Sequence, residues 1–223
     1  QSWSPPTRLD DRPGALPRSR PLRMADGTDR LPVYREGRGA SVISLDLTRL
    51  KPGVAPAMRI APIPAASALI QPSLVPPGRN PATGAAQPLR AYLRDPHRRF
   101  VYLSSYDAAT NAWSRATPTD LQNPASAVEA FSDGRGRTVL IHNPGRKDRQ
   151  TLRLDVSNDG VHFPAGCDLV PKGALGEVAY PAIAELGPGQ WGIAFSTNGK
   201  RRIGFLRLDQ ARIDACAGIS RTP

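Results

Sequence analysis

Short stretches that alternate apolar and polar residues recur along the chain, and each is closed by a tight turn. Arg99 to Ser104 and Thr151 to Val156 place apolar side chains at every second position, the period of a half-buried strand. A larger unit of strand, glycine-bearing turn and second strand also repeats. It runs from Leu22 to Tyr34 around Asp26 and Gly27, from Val128 to His142 around Asp133 and Gly134, and from Ala182 to Phe195 around Pro188 and Gly189. A fourth copy fits between the first two: Gln71 to Val75 and Leu89 to Leu93, joined by a Pro/Gly-rich loop over 76–88. The repeat is then about 50 to 55 residues long, the size of one four-stranded β-propeller blade. The pattern predicts an all-β chain of about four blades in a single region over 1–223, with a C-terminal tail over 210–223.

Composition supports many short strands and few helices. The 223 residues include 24 prolines and 20 glycines, spread along the chain instead of gathered in one tract. No apolar run is long enough to span a bilayer, and the first residues lack a signal-peptide pattern. The formal net charge of +11 favours anionic partners such as acidic sugars or phosphates. The plainer reading, a solvated arginine-rich surface, is the preferred one. The arginines are scattered and no ladder of clustered aromatics accompanies them, so nucleic acid is not expected as a partner.

Two cysteines, Cys167 and Cys216, are too few for a thiolate metal cage. They form either one disulfide, tying the tail to the preceding blade and favouring a periplasmic or secreted setting, or two buried thiols. His97, His142 and His162 are isolated from one another and read as surface or turn residues. Nothing in the sequence implies a metal or other cofactor.

The turns carry the most specific signal. Ser105, Tyr106 and Asp107 lead to Trp113, and Ser157, Asn158, Asp159 and Gly160 lead to Phe163, while Ser2 to Pro5 looks like the end of another copy. An aspartate in a tight hairpin accepts backbone N–H bonds, and the aromatic packs between strands. These segments resemble the Asp box, Ser-x-Asp-x-Gly-x-Thr-Trp, of the bacterial neuraminidase repeat, one copy shortened and the other lengthened. An ordered series extends the resemblance over most of the chain: Pro32 to Tyr34, Ile70 to Ser73, Tyr92 to Asp95, Leu121 to Pro124, His142 to Pro144 and Glu177 to Pro181. Together they are similar to the second part of sialidase-like β-propellers. A six-bladed propeller at this period needs roughly 300 residues or more, so the resemblance implies a region incomplete at its N-terminus, with further blades supplied by another segment or chain.

The resemblance also implies a chemistry. Sialidases hold a sugar whose anomeric carbon bears a carboxylate, and the planar fork of arginine suits that group. Arg94 and Arg149 match two arginines of the family's carboxylate-binding triad. For each, a blade-surface charge or an ion pair within a blade is the alternative. Tyr180 matches the tyrosine nucleophile that replaces a carboxylate in these enzymes, or is a core tyrosine. The family's partner glutamate has no counterpart: Gln71 stands in the matching stretch and cannot act as a base near neutral pH. Glu177, three residues before Tyr180, can substitute only if a turn brings the two side chains to one face. Tyr34 resembles an aromatic lining the sugar side-chain subsite, with Glu36 two residues on. Asp26, Asp107, Asp133 and Asp159 read as turn formers, and the family's acid/base aspartate belongs to its first blades.

Three functions fit this reading. The first is a sialidase-like exo-glycosidase, or its C-terminal part, acting on a terminal acidic sugar. The second is a non-catalytic propeller that binds glycan or protein, consistent with Gln71 and the degenerate Asp boxes. The third is a structural subunit of a larger assembly.

Overall fold

The computed structural model describes residues 8–9, 13–51, 54 and 57–218, and within them the chain forms four successive antiparallel sheets and a separate two-stranded one. The first blade comprises β1 (Leu16–Pro17), β2 (Leu22–Arg23), β3 (Asp29–Arg35), β4 (Gly39–Leu45) and β5 (Arg59–Pro62). Both short strands β1 and β2 pair with β3, so this blade's first strand is broken in two. The second blade opens with β6 (Ile70–Val75). A small hairpin of β7 (Gly78–Arg79) and β8 (Ala86–Gln87) follows, and the sheet resumes with β9 (Arg90–Arg94), β10 (Phe100–Asp107), β11 (Ala112–Trp113) and β12 (Thr117–Gln122).

The third blade, β13 (Glu129–Ser132), β14 (Thr138–His142), β15 (Leu152–Ser157) and β16 (Ala165–Val170), pairs in simple chain order. The fourth has three strands, β17 (Ala179–Gly187), β18 (Gln190–Thr197) and β19 (Arg202–Asp209), and then the helix α1 (Gln210–Cys216). Blades meet through their early strands, β6 against β3 and β13, and β13 against β17.

Alternation puts one apolar layer between each pair of blades. Val75, Tyr92 and Val101 of the second blade meet Val128, Leu140 and Phe163 of the third, all buried. Phe131 and Ile141 of the third pack with Trp191 and Ile193 of the fourth. The degenerate Asp boxes serve this packing. Asp159 accepts from the amides of Val161 and His162, and Ser157 accepts from that of Gly160. The turn delivers Phe163 edge-on to Tyr92, with ring centroids 6.1 Å apart. Gly160 is required there: its φ is +68°, and a Cβ would lie 2.1 Å from Arg90 Nη1. Tyr92 in turn donates its hydroxyl to Gly160 O at 2.5 Å, and burial pushes that phenol up to about 12.

Two segments gain detail and one local expectation, that of His142, is corrected. The 76–88 loop contains the β7–β8 hairpin. The 210–223 tail begins as a helix, capped by Asp209 accepting from the Arg212 amide, because Ile213 and Cys216 find an apolar seat against the third blade. A buried network, in which Arg137 bridges Asp133 and Asp214, docks that helix. His142 is not a surface residue: it is buried, with Nε2 2.7 Å from Asp155 Oδ2. The segment around Trp3 and the chain beyond 218 lie outside the described residues.

Candidate functional site

In each blade, chain direction decides which strand ends share a rim. Strand β3 ends near Tyr34, β6 begins at Ile70, β9 ends at Arg94, β13 begins at Glu129 and β17 begins at Ala179. Antiparallel pairing puts all of these at one end of the blades. The turns of Asp26, Asp107, Asp133 and Asp159 lie at the other end, where their carboxylates accept from neighbouring backbone amides.

Two of these strands are interrupted in the same way. Gln71 and Tyr180 both have positive φ, 52° and 56°, each stands before a proline, and the pairing register shifts around each, between Ile70 and Ser73 and between Ala179 and Ala182. A bulge at this place re-aims one side chain at the rim. Left-handed backbone in a non-glycine residue is costly, and such costs gather at functional sites.

At the first bulge, Gln71 Oε1 accepts from Arg94 Nη1 at 3.1 Å, and Gln71 Nε2 lies 3.3 Å from the Tyr34 hydroxyl. Gln71 and Tyr34 are buried and Arg94 is partly so. Arg94 keeps a further buried donor, Nε, without a hydrogen-bond partner among the described residues. Glu36 is exposed in the turn after β3.

At the second bulge, cations surround the Tyr180 ring, with Arg149 6.0 Å and Lys200 5.3 Å from its centroid. Arg149 sits on the β14–β15 loop, which Asn143 ties to the start of β17 through Val178 O at 2.8 Å, while the Val178 amide donates to Arg149 O. Arg149 itself donates to Ala125 O at 2.7 Å and pairs with Glu177 at 3.5 Å. Glu177 is therefore engaged with the arginine, on a bend before β17. Burial pushes the Tyr180 phenol up, but Lys200, Arg94 and Arg149 together outweigh it and hold the group below its ordinary value of 10. Arg94, Arg149 and Tyr180 thus share one electrostatic neighbourhood.

A buried ion pair adjoins this cluster. Arg18, between β1 and β2, donates to Val128 O at 2.9 Å, to Glu129 Oε2 at 3.3 Å and to Pro181 O at 2.5 Å. Burial outweighs the attraction on both partners: Glu129 is pushed up to about 7 and Arg18 is lowered. Arg18, Glu129 and Lys200 were not singled out from the sequence. Glu129 had a signal, a carboxylate inside the apolar run from Val128 to Phe131, whereas Arg18 and Lys200 sit in turn-rich segments with none.

A cavity of about 830 Å³ opens between the first two blades at the opposite end, beside Met24, Leu89, Tyr106 and Trp113, and none of the rim residues lines it. The converging cations, not this cavity, mark the candidate site. Among the described residues no group of three or more His, Cys, Asp or Glu side chains is arranged to hold a metal, and no helix is long and apolar enough to cross a membrane.

The family model for the BNR repeat-like domain matches residues 1–193. The chain belongs to this family. No curated protein sequence matches it. Solved structures similar to this BNR repeat-like chain include the NanB sialidase of Streptococcus pneumoniae, at 15% identity and a TM-score of 0.66, over 86% of this chain and 30% of that one. A Hadza microbial sialidase aligns at 15% identity and a TM-score of 0.63, over 86% and 37%. A protein of unknown function from Dyadobacter fermentans aligns at 14% identity and a TM-score of 0.70, over 94% and 61%. The chain thus spans about a third of the length of the two sialidases, and identities this low establish a shared fold only. That fold is all-β and sialidase-like.

Proposed function

We propose that this BNR repeat-like chain forms part of a sialidase-like glycoside hydrolase that acts at the end of a glycan on an acidic sugar. The observation that carries the reading is the placement of Arg94, Arg149 and Lys200 around Tyr180, with the Arg94 Nε donor unpartnered. A sugar carboxylate seated between Arg94 and Arg149 gains charge-assisted hydrogen bonds from planar donors. Such a seat brings the anomeric carbon toward the Tyr180 phenol. A phenol nucleophile avoids the repulsion a carboxylate nucleophile meets from the substrate's own carboxylate. The cations that lower its pKa also raise the fraction of phenolate available for attack. Tyr34 and Gln71 then line the sugar's side, and Glu177 restrains Arg149. The Cys167–Cys216 disulfide, which closes between β16 and α1, supports an oxidising location such as the periplasm or the cell exterior.

The test is release of the fluorophore from a sialoside substrate by the protein and by its Tyr180→Phe variant. Cleavage that drops at least about 100-fold in the variant, while binding of free sialic acid persists, supports the reading. Cleavage that is equal in both removes Tyr180 from the mechanism.

One observation favours a second reading, binding without turnover. Gln71 stands where a carboxylate would be needed to accept the phenol's proton, and it is already committed to Arg94 and Tyr34. Measurable affinity for sialosides with no hydrolysis at any pH from about 4 to 9 would select this alternative.

A further inference from the structure

Arg18 comes from the first blade, yet its guanidinium ends on groups of the third and the fourth. It reaches the backbone and side chain at the start of β13, Val128 O and Glu129 Oε2, and the carbonyl of Pro181. Pro181 is the residue immediately after Tyr180, at the bulge where Tyr180 has its positive φ. The Pro181 carbonyl belongs to the peptide that joins Pro181 to Ala182. Because the proline ring fixes φ at Pro181, holding that peptide constrains the path of the chain out of Tyr180 and so the direction of its side chain. Glu129 accepts from Nη1 of the guanidinium, and the Pro181 carbonyl accepts from Nη2. Within the third blade Glu129 pairs across β13–β14 with Ile141 and is buried on the face of β13 opposite to Val128 and Ala130, so an ion in this place is costly unless it is paired. Arg18 also feels the charge of Tyr180 and of Tyr34, which puts it in the same electrostatic field as the candidate site.

We propose that Arg18 is a positioning residue for Tyr180: held by Glu129, it fixes the Pro181 carbonyl and thereby the left-handed turn that presents the phenol to Arg94, Arg149 and Lys200. This rests on the proposed role of Tyr180, but it concerns where the phenol is held and can be read without any turnover. Loss of the clamp frees the bulge, lets the ring leave the cations, and removes one nearby positive charge. Each effect makes the phenol less acidic. The groups that face Arg18 are Glu129 from β13, Tyr180 beside Pro181 and Tyr34 from β3; Arg20, in its own segment, faces Glu129.

The deciding experiment is a carbon-13 NMR titration of the tyrosine ring carbons in the protein, with the Tyr180 signal assigned by its loss in Tyr180→Phe. In Arg18→Met the Tyr180 titration is expected to move upward, while Tyr92, sealed between the second and third blades, keeps its shift. Arg18→Lys retains the charge and part of the reach, so its titration should lie between the other two, and it serves as the reading should the methionine variant fail to fold. An unchanged Tyr180 titration in a folded variant of either kind overturns the proposal. Sialoside cleavage measured on the same samples keeps the two ideas apart: an absent activity with a moved titration counts against the hydrolase and leaves the positioning role intact. An active enzyme with an unmoved titration does the reverse.

Discussion

Arg94 donates through Nη1 to the side-chain oxygen of Gln71 across 3.1 Å. A neutral amide therefore occupies the arginine that is proposed to meet a sugar carboxylate. The amide leaves the guanidinium's full charge in place, whereas a carboxylate there would neutralise much of it. Gln71→Glu is expected to weaken binding of free sialic acid by about tenfold, the effect of losing one charge-assisted contact. The same change supplies a base beside the rim, so kcat on a fluorogenic sialoside should rise while KM rises with it. Titration calorimetry and steady-state kinetics on the same preparation check both parts. Tighter sugar binding in the variant would mean that Arg94 does not meet the carboxylate.

Lys200 gives a cleaner handle on the phenol. It lies 5.3 Å from the Tyr180 ring centroid, it is exposed in the β18–β19 turn, and its charge is the largest of those that lower the phenol. Lys200→Ala should raise the Tyr180 pKa without disturbing the fold. The difference between variant and parent should shrink as salt is raised from about 0.05 to 0.5 M, because an exposed charge is screened. Spectrophotometric titration of phenolate absorbance, corrected with Tyr180→Phe, reads this directly. A salt-independent difference would point to packing instead of charge.

Glu129 sets a pH dependence of stability whose sign follows from its burial. Its folded pKa is about 7, against an ordinary 4.5. Between those values the folded protein keeps a proton that the unfolded chain has released. Stability therefore falls as pH rises through that window and levels off above about 7. The full effect is on the order of 3 kcal/mol. Glu129→Gln should flatten this part of the profile. His162, raised by Asp159, contributes a slope of the same sign in an overlapping range, so the quantity to compare is parent minus variant in urea melts at pH 5 and pH 8. Parallel profiles for the two proteins would show that Glu129 does not titrate in this window.

What the sequence revealed and what it concealed divide along a physical line. The hairpins around Gly27, Gly134 and Gly189 were readable because turn residues and alternation are local. Asp159 and Phe163 were readable for the same reason, since the carboxylate closes its own turn and the ring follows four residues later. Helix α1 was not, because its seven residues owe their place to Arg137, 77 residues before Asp214 in the chain, and to the apolar surface of the third blade. The bulges at Gln71 and Tyr180 were half visible, each marked by a following proline but with no local sign of left-handed backbone. The Arg18–Glu129 contact, 111 residues apart in sequence, exists only through the arrangement of blades. Sequence could place Arg94, Arg149 and Tyr180 by resemblance, but not Lys200, which is an ordinary turn residue until β18 and β19 carry it to the same rim.

The Cys167–Cys216 bond makes a prediction about the end of the fold. It joins β16 to α1 across 49 residues of chain and so encloses the whole fourth blade. Closing a loop of that length removes unfolded-state entropy equivalent to about 4 kcal/mol in the chain-entropy account. That blade has three strands, and its last, β19, leaves Ile203 and Phe205 exposed, so it depends more than the others on a covalent tie. Replacing both cysteines by serine should lower the unfolding free energy by about 2 to 4 kcal/mol. Amide exchange should quicken first in β17 to β19 and α1, with β9, β10 and β14 keeping their protection. Because Tyr180 is the second residue of β17, the same loss should loosen its ring from Arg149 and raise its titration, even though neither cysteine is at the rim. Uniform faster exchange across all four blades would show instead that the molecule opens as one unit, and that the disulfide stabilises it globally.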